Sequence, residues 1–486
     1  MATKARCVMV LGTTSGAGKS WLATALCRWY ARQGIKVAPF KAQNMSNNAR
    51  VAGGGEIGSA QYFQALAARA EPDVRMNPVL LKPECDTRSQ VVLLGRVDEA
   101  LSQAPWRGRS TRVWPAIARC LDELRAENDV VVIEGAGSPA EINLRDSDVV
   151  NMRVAQHADA RCLLVTDIDR GGAFAHLYGT WSLLGEAERQ LVRGFVLNKF
   201  RGDAALLAPA PRMLQDLTGV PVVATLPMWR QHGLPEEDGV FEERSTAGGA
   251  VTRTIAVIAY PRVSNLDEFL PLKNLPGVRL VWARSPADVA TADWIVLPGS
   301  KNTSGDLTWL RAQGLGGAIA QHAANGGAVL GICGGLQMLG EALVDPHGID
   351  GNGPGLGLLP LVTLFETAKT VKRTQARFNS LTGPWAALSG VSLRGYEIHH
   401  GRTFQHQGMP AACAAMPDGL AWQSDAGHVL GVYLHGLFEE PAVLQALFGR
   451  AVPTLESVFD GLADFVDRHF EAGVIADLIR EPSGRG

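Results

Sequence analysis

Residues 7–20 constrain the fold more than any other stretch of the chain. An apolar run, Cys7 to Leu11, leads directly into Gly12-Thr13-Thr14-Ser15-Gly16-Ala17-Gly18-Lys19-Ser20, and a helical pattern follows over 21–33. Strand, glycine turn and helix in this order turn successive backbone N–H groups toward phosphate oxygens. Lys19 adds a point charge for the outer phosphates, and Ser20 a hydroxyl for magnesium. The segment therefore predicts an ATP-holding loop at the carboxyl edge of a parallel sheet, in an α/β fold.

The rest of the chain repeats that alternation. Apolar runs at 36–40, 130–134, 161–166, 194–198 and 222–226 lack the polar alternation of half-exposed strands, so they read as strands buried on both faces. Residues 229–251 are polar and glycine-bearing, and read as a linker. Strand-like runs resume at 255–260, 278–282, 294–297, 328–331 and 429–434. The expectation is two doubly wound domains with mainly parallel sheets, 1–228 and 252–440, then a helical segment at 441–486. A chain of 486 residues has room for more than one core.

Composition narrows the class. A formal net charge of -2 argues against nucleic-acid binding. No apolar run approaches the roughly 18 residues of a membrane span. The first strand begins so early that a cleaved leader would take part of the loop with it, so no targeting segment is read. The 7 scattered cysteines suggest free thiols in a reducing cytoplasm. Nothing fixes the oligomeric state, and a homo-oligomer is compatible with the sequence.

Further residues fit the phosphate site. Glu134 ends a buried strand and reads either as a carboxylate in the magnesium shell or as a solvent-facing acid. Asn198 ends another strand, where its amide suits the adenine edge or a simple turn. Lys41 follows the second strand and is expected to face the transferred phosphate. Glu56, in a glycine-rich stretch, is a weaker candidate for a second metal ligand.

Far downstream comes Val329-Leu330-Gly331-Ile332-Cys333-Gly334-Gly335-Leu336-Gln337. A nucleophile on a strand-to-helix turn stands exposed on a strained backbone, and small neighbours permit the turn. Cys333 is the nucleophile in this reading, activated by a histidine from elsewhere in the fold. His435, at the end of the 429–434 strand, is the natural base. An oxyanion hole would draw N–H groups from the Gly299–Ser300 turn and from Gly334. His399 and His400 lack a third ligand at metal-binding spacing, so a pocket or structural role is preferred.

The cysteine turn resembles the class I glutamine amidotransferase domain. In that family a glutamate stands two residues after the histidine; here the position is Leu437, and Glu439 is the nearest candidate to orient His435. The phosphate loop has five residues between Gly12 and Gly18 rather than four, and resembles dethiobiotin synthetase and its relatives. Residues 40–48, Gly55-Glu56-Ile57-Gly58, the 76–83 segment, Glu141-Ile142-Asn143-Leu144 and Asp167-Ile168-Asp169-Arg170-Gly171-Gly172 are similar to the cobyric acid synthase family over nearly the whole chain.

That resemblance implies an ATP-dependent carbon–nitrogen ligase. It would take ammonia from L-glutamine and amidate the b, d, e and g carboxylates of an adenosylated cobyrinic acid a,c-diamide, with Gln43, Asn44, Asn48, Arg145 and Asp146 around the corrinoid acceptor. Asp146 is equally compatible with a solvent-facing role. Alternatives are the a,c-diamide synthase, disfavoured by residues 40–48, another acceptor as in CTP synthase, disfavoured by Leu437, and a partitioning-type ATPase switch, which leaves Cys333 and His435 without a role.

Overall fold

The computed structural model describes residues 4–480, apart from 86–87, 106–107, 231, 236–244, 247–249, 407, 409–411 and 451–452. Much of the expected linker at 229–251 therefore lies outside the described residues.

Six parallel strands form the first sheet, in the order Val222–Pro227, Val192–Phe200, Arg161–Asp167, Arg6–Gly12, Val130–Glu134 and Val37–Phe40. Side chains alternate across a strand, and Arg6–Gly12 serves two cores in this way. Cys7, Met9 and Leu11 pack with Ile117, Leu121, Met152 and Leu177 on one face. Val8 and Val10 pack with Leu22, Leu26, Tyr30 and Phe63 on the other. An apolar run without polar alternation is thus what a two-faced sheet demands.

The second sheet has eight strands. Val278–Ala283, Arg253–Ile258, Trp294–Leu297, Ala328–Ile332 and Val429–Val432 run parallel, Ala421–Gln423 and Cys413–Met416 extend one edge antiparallel, and Ser245–Thr246 pairs antiparallel at the other. Beside it stands a long antiparallel pair, Val362–Arg377 with Ser392–Phe404. A smaller sheet of Gln43–Met45, Val79–Cys85, Arg88–Leu93 and Arg96–Val97 projects from the first half, as does the hairpin Ala49–Ala52 with Gly55–Gly58.

The end of the chain returns to the first half. Helix Leu455–His469 lies on helix Lys19–Arg32, burying Phe459, Leu462 and Val466 in the core that holds Val8 and Val10. Arg28 pairs with Glu456 at 2.6 Å and Asp460 at 2.8 Å, and the Tyr30 hydroxyl donates to the Ile475 carbonyl at 2.8 Å. Among the described residues no helix is long and apolar enough to cross a membrane.

Candidate active sites

The phosphate loop stands at the carboxyl end of Arg6–Gly12, as its sequence demands. Gly18 caps the following helix at φ 100°, and a Cβ there would overlap the Asn198 amide, so only glycine fits. Thr14 and Ser15 are exposed at the tip, Gly16 is half-buried, and Ala17 is buried beneath. Thr13 donates to the Thr166 hydroxyl at 3.0 Å. Lys19 arches over the loop, donating to the Thr14 carbonyl at 2.9 Å and the Gly137 carbonyl at 3.2 Å.

Glu134 gathers the rest. Its Oε1 accepts from Ser20 at 2.7 Å and from Lys41 at 2.8 Å; its Oε2 accepts from Gln64 at 2.6 Å and Gln61 at 3.3 Å. Burial favours the neutral acid, but Lys41 and these donors hold Glu134 below the usual carboxylate range. A buried carboxylate beside a loop hydroxyl is a donor set of hard oxygens, which fits magnesium. Gln61 and Gln64 were not legible as site residues; they stand on one turn of helix Ser59–Ala67.

Two expected residues of this half take other contacts. Asn198 donates to the Ala17 carbonyl and accepts from the Lys199 N–H, both at 2.9 Å, so it braces the loop. Glu56 is buried between Lys82 and Lys369. Burial opposes its charge, yet the two ammonium groups hold its pKa at about 2. A carboxylate so occupied is a structural anchor, and the metal-ligand expectation for it is withdrawn. The same burial, with repulsion from Lys369, outweighs Glu56 at Lys82 and brings that pKa down to about 8.

Beside the loop opens a cavity of about 560 Å³. Gln43, Arg145 and Asp146 line it, with Met45, Leu81 and Leu144 as apolar wall. Arg145 is held by Glu188 at 2.6 Å. Asn44 and Asn48 do not line it. Asn44 is buried against Gln61, and the Asn48 Oδ1 accepts from Leu266 N–H across the interface at 3.0 Å. Their polarity serves the packing of the small sheet and the joint between halves.

The thiol site is assembled from distant segments. Cys333 ends the strand Ala328–Ile332 with φ 51° and ψ -106°, a left-handed conformation costing about 1–3 kcal/mol for a side-chain-bearing residue. The turn closes because Gly335 packs on the Leu297 carbonyl, where a Cβ would overlap backbone. A Cβ built on Gly334 would lie 2.8 Å from Ser300 N, and one on Gly299 2.7 Å from the His435 ring. The two expected oxyanion positions and the histidine therefore surround the cysteine turn.

His435 is buried, and its Nδ1 meets Glu268 Oε1 at 3.0 Å, while Glu268 Oε2 accepts from the Gly436 N–H at 3.0 Å. Burial works against an imidazolium, but Glu268 and Cys333 together push the His435 pKa up to about 10. Burial pushes two other thiols, Cys7 and Cys120, up to about 11. Glu439 is not the histidine's acid, because both its oxygens bind Arg50, at 2.6 and 2.7 Å. The acid missed from sequence is Glu268, which stands 167 positions away along the chain. Its only signal was an acidic pair, Asp267-Glu268, inside an otherwise apolar run.

The histidine cluster finds its place here. Tyr396 bridges to His435 and stacks on it with ring centroids 5.4 Å apart. The Ile398 carbonyl is 3.9 Å from Cys333 Sγ. His399 binds Glu397 at 3.1 Å, and no group of acids, cysteines and histidines suited to a metal occurs among the described residues.

Comparisons with known proteins agree with both halves. Residues 8–236 match the CobQ/CobB/MinD/ParA nucleotide binding domain, and residues 254–443 the CobB/CobQ-like glutamine amidotransferase domain. A cobyric acid synthase of Variovorax paradoxus (strain S110) is 77% identical over 475 residues, covering 98% of this chain and 99% of the relative. One of Polaromonas naphthalenivorans (strain CJ2) is 75% identical over 482 residues, covering 98% and 99%. A third, of Leptothrix cholodnii (strain ATCC 51168 / LMG 8142 / SP-6), is 65% identical over 507 residues, covering 99% and 98%.

Proposed function

Because this chain belongs to the cobyric acid synthase family, we propose that it couples glutamine hydrolysis at Cys333 to ATP-dependent amidation of a corrinoid acceptor in cobalamin biosynthesis. The acceptor is adenosylcobyrinic acid a,c-diamide and the groups amidated are its b, d, e and g carboxylates. We place the reaction in the cytoplasm, where thiols stay reduced. The observation that carries the reading is the presence in one chain of a phosphate loop with its buried carboxylate and a cysteine turn with a paired histidine.

At the thiol site, Glu268 fixes the tautomer of His435, leaving Nε2 to face the sulfur. The raised histidine pKa favours the imidazolium form of His435. Cys333 attacks the glutamine carboxamide, and the Gly299–Ser300 turn and Gly334 face the oxyanion that develops. The imidazolium gives its proton to departing ammonia, and water then releases glutamate with His435 as base.

At the other site a carboxylate is a poor electrophile until phosphorylated. The backbone of 12–20 and Lys19 hold ATP, and Lys41 neutralises charge on the transferred phosphoryl group. Ser20 and Glu134 would hold magnesium, which would neutralise negative charge on the phosphates. Ammonia attacks the acyl phosphate, forming the amide and releasing phosphate. Gln43, Arg145 and Asp146 orient the acceptor, whose large ring seats one carboxylate-bearing edge at a time in the cavity.

Mass spectrometry of the corrinoid after incubation with ATP, magnesium and glutamine tests this. The expected result is a stepwise series of products, each differing by one OH-to-NH2 exchange. An unchanged corrinoid in the presence of active glutamine hydrolysis would reject the acceptor.

A further inference from the structure

Arg50 has no part in the reactions above, yet it is 3% exposed and carries a full charge. It stands on strand Ala49–Ala52 of the ATP-binding half and reaches across the interface. Its Nε lies 3.1 Å from Asp267 Oδ2, its Nη2 also binds that oxygen, and its two terminal nitrogens grip Glu439. The guanidinium carbon is 5.0 Å from the centre of the Tyr396 ring.

Two of these contacts, to Asp267 and to Tyr396, lead to His435. Asp267 is the chain neighbour of Glu268, whose carboxylate holds Nδ1 of the imidazole. Tyr396 stacks on the imidazole face. One guanidinium thus supports the histidine from its edge, through the 265–269 segment, and from its face, through Tyr396. Two backbone-to-side-chain bonds fasten the start of this strand to the same segment: Ala49 N–H to Asn265 Oδ1 at 2.9 Å and Leu266 N–H to Asn48 Oδ1 at 3.0 Å.

We infer that Arg50 is a positioning residue for glutamine hydrolysis, so that the thiol site is completed by a side chain of the ATP-binding half. Without the cation, Asp267 and Glu439 would face each other and Glu268 as uncompensated acids in a buried space, and the segment bearing Glu268 would move or take up protons. A displacement of about 1 Å in a catalytic group can cost on the order of 10²-fold in rate. Arg50 suits the task because its planar fork serves two carboxylates while its face lies on an aromatic ring, which an ammonium cannot reproduce.

The same strand connects to the other site. Ala49–Ala52 pairs with Gly55–Gly58, which runs directly into helix Ser59–Ala67. That helix carries Gln61 and Gln64, the two amides on Glu134. The cation that braces the histidine and the amides that hold the metal-side carboxylate therefore share one short continuous segment.

The inference rests on the glutaminase reading of Cys333 and His435, and the test separates the two. Arg50→Met and Arg50→Lys are assayed for glutamine hydrolysis and, with ammonia as nitrogen source, for ATP-dependent amidation. Arg50→Met should lower kcat for hydrolysis by roughly tenfold or more, with KM for glutamine changed less than about threefold, the pattern of a lost transition-state contact. Ammonia-dependent amidation should stay within about twofold of the parent, and Arg50→Lys should recover part of kcat. A parent-like kcat, a change confined to KM, or amidation falling in step with hydrolysis would overturn the inference. If Arg50→Met does not fold, Asp267→Asn must show the same split of kcat from KM, and a parent-like kcat there overturns it equally. Retained hydrolysis in Cys333→Ala would instead sink the glutaminase reading itself.

Discussion

The two catalytic turns are both glycine-rich links from a parallel strand to a helix, yet they hold their chemistry in opposite ways. The phosphate loop is local. Nine consecutive residues supply the cradle, the lysine and the hydroxyl, and the surroundings mainly orient Glu134. The thiol turn is assembled. Cys333, His435 and Glu268 come from three separated segments, and Arg50 arrives from the other half. A local site announces itself in sequence and fails when one of its own residues changes. An assembled site is partly silent in sequence and is open to damage from afar.

The largest effects should separate the two sites outright. Cys333→Ala should abolish glutamine-dependent synthesis, a loss on the order of 10⁴-fold or more in hydrolysis, while ammonia still supports amidation. Lys19→Ala should abolish product from either nitrogen source and leave Cys333 open to alkylation by a glutamine analogue. If a folded Cys333→Ala also fails with ammonia, the sites are not separable and the comparison breaks.

Next in size come the thiol site's partners. His435→Ala should slow hydrolysis by roughly 10²–10⁴-fold, the range for a lost general base. Glu268→Gln should cost about 10²-fold or more by leaving the imidazole in the wrong tautomer. Glu439→Gln, two contacts removed, should cost at least about tenfold less than Glu268→Gln. Equal losses for the two acids would return Glu439 to the site and blur the line drawn here.

The smallest effect is thermodynamic. The folded-state pKa of His435, about 10, lies above its ordinary value of 6.5. A raised pKa means folding favours the protonated form, so this stabilisation is complete below about 6.5 and is lost as pH rises through about 10. The Tm advantage of the parent over His435→Gln should therefore shrink steadily across that window. A difference independent of pH would show that His435 is not held as imidazolium.

The same contrast explains what the sequence disclosed. Strands buried on both faces declare themselves as apolar runs, and the parallel strands of both main sheets stand within a few residues of expectation. The pair Val362–Arg377 and Ser392–Phe404 gave no such signal. Lys369, Lys372 and Arg373 interrupt it because much of the ribbon is only half-buried. Glu439 was favoured because chain proximity is visible and spatial proximity is not. Glu268 reaches His435 through a crossing between sheet ends that no spacing rule encodes. Glu56 was misread for a related reason: an acid among glycines suggests a ligand, but its two lysines stand at positions 82 and 369.

The return of the last helices to the first half has a consequence for how the two catalysts can part. Because Leu455–His469 is anchored by Arg28 and buried apolar contacts, the amidotransferase half is fastened at both ends to the same body. A module on two tethers stays at a high effective concentration for its own docking surface even when that surface opens. Separation would be brief and re-docking intramolecular. For an enzyme that releases a small, volatile nitrogen donor in one half and consumes it in the other, the chain's route itself favours retention over escape. It also implies that cutting the gene between the two matched domains yields a first half stripped of its covering helix, in which Trp21 loses its contact with Phe465 and Tyr30 its bond to the Ile475 carbonyl.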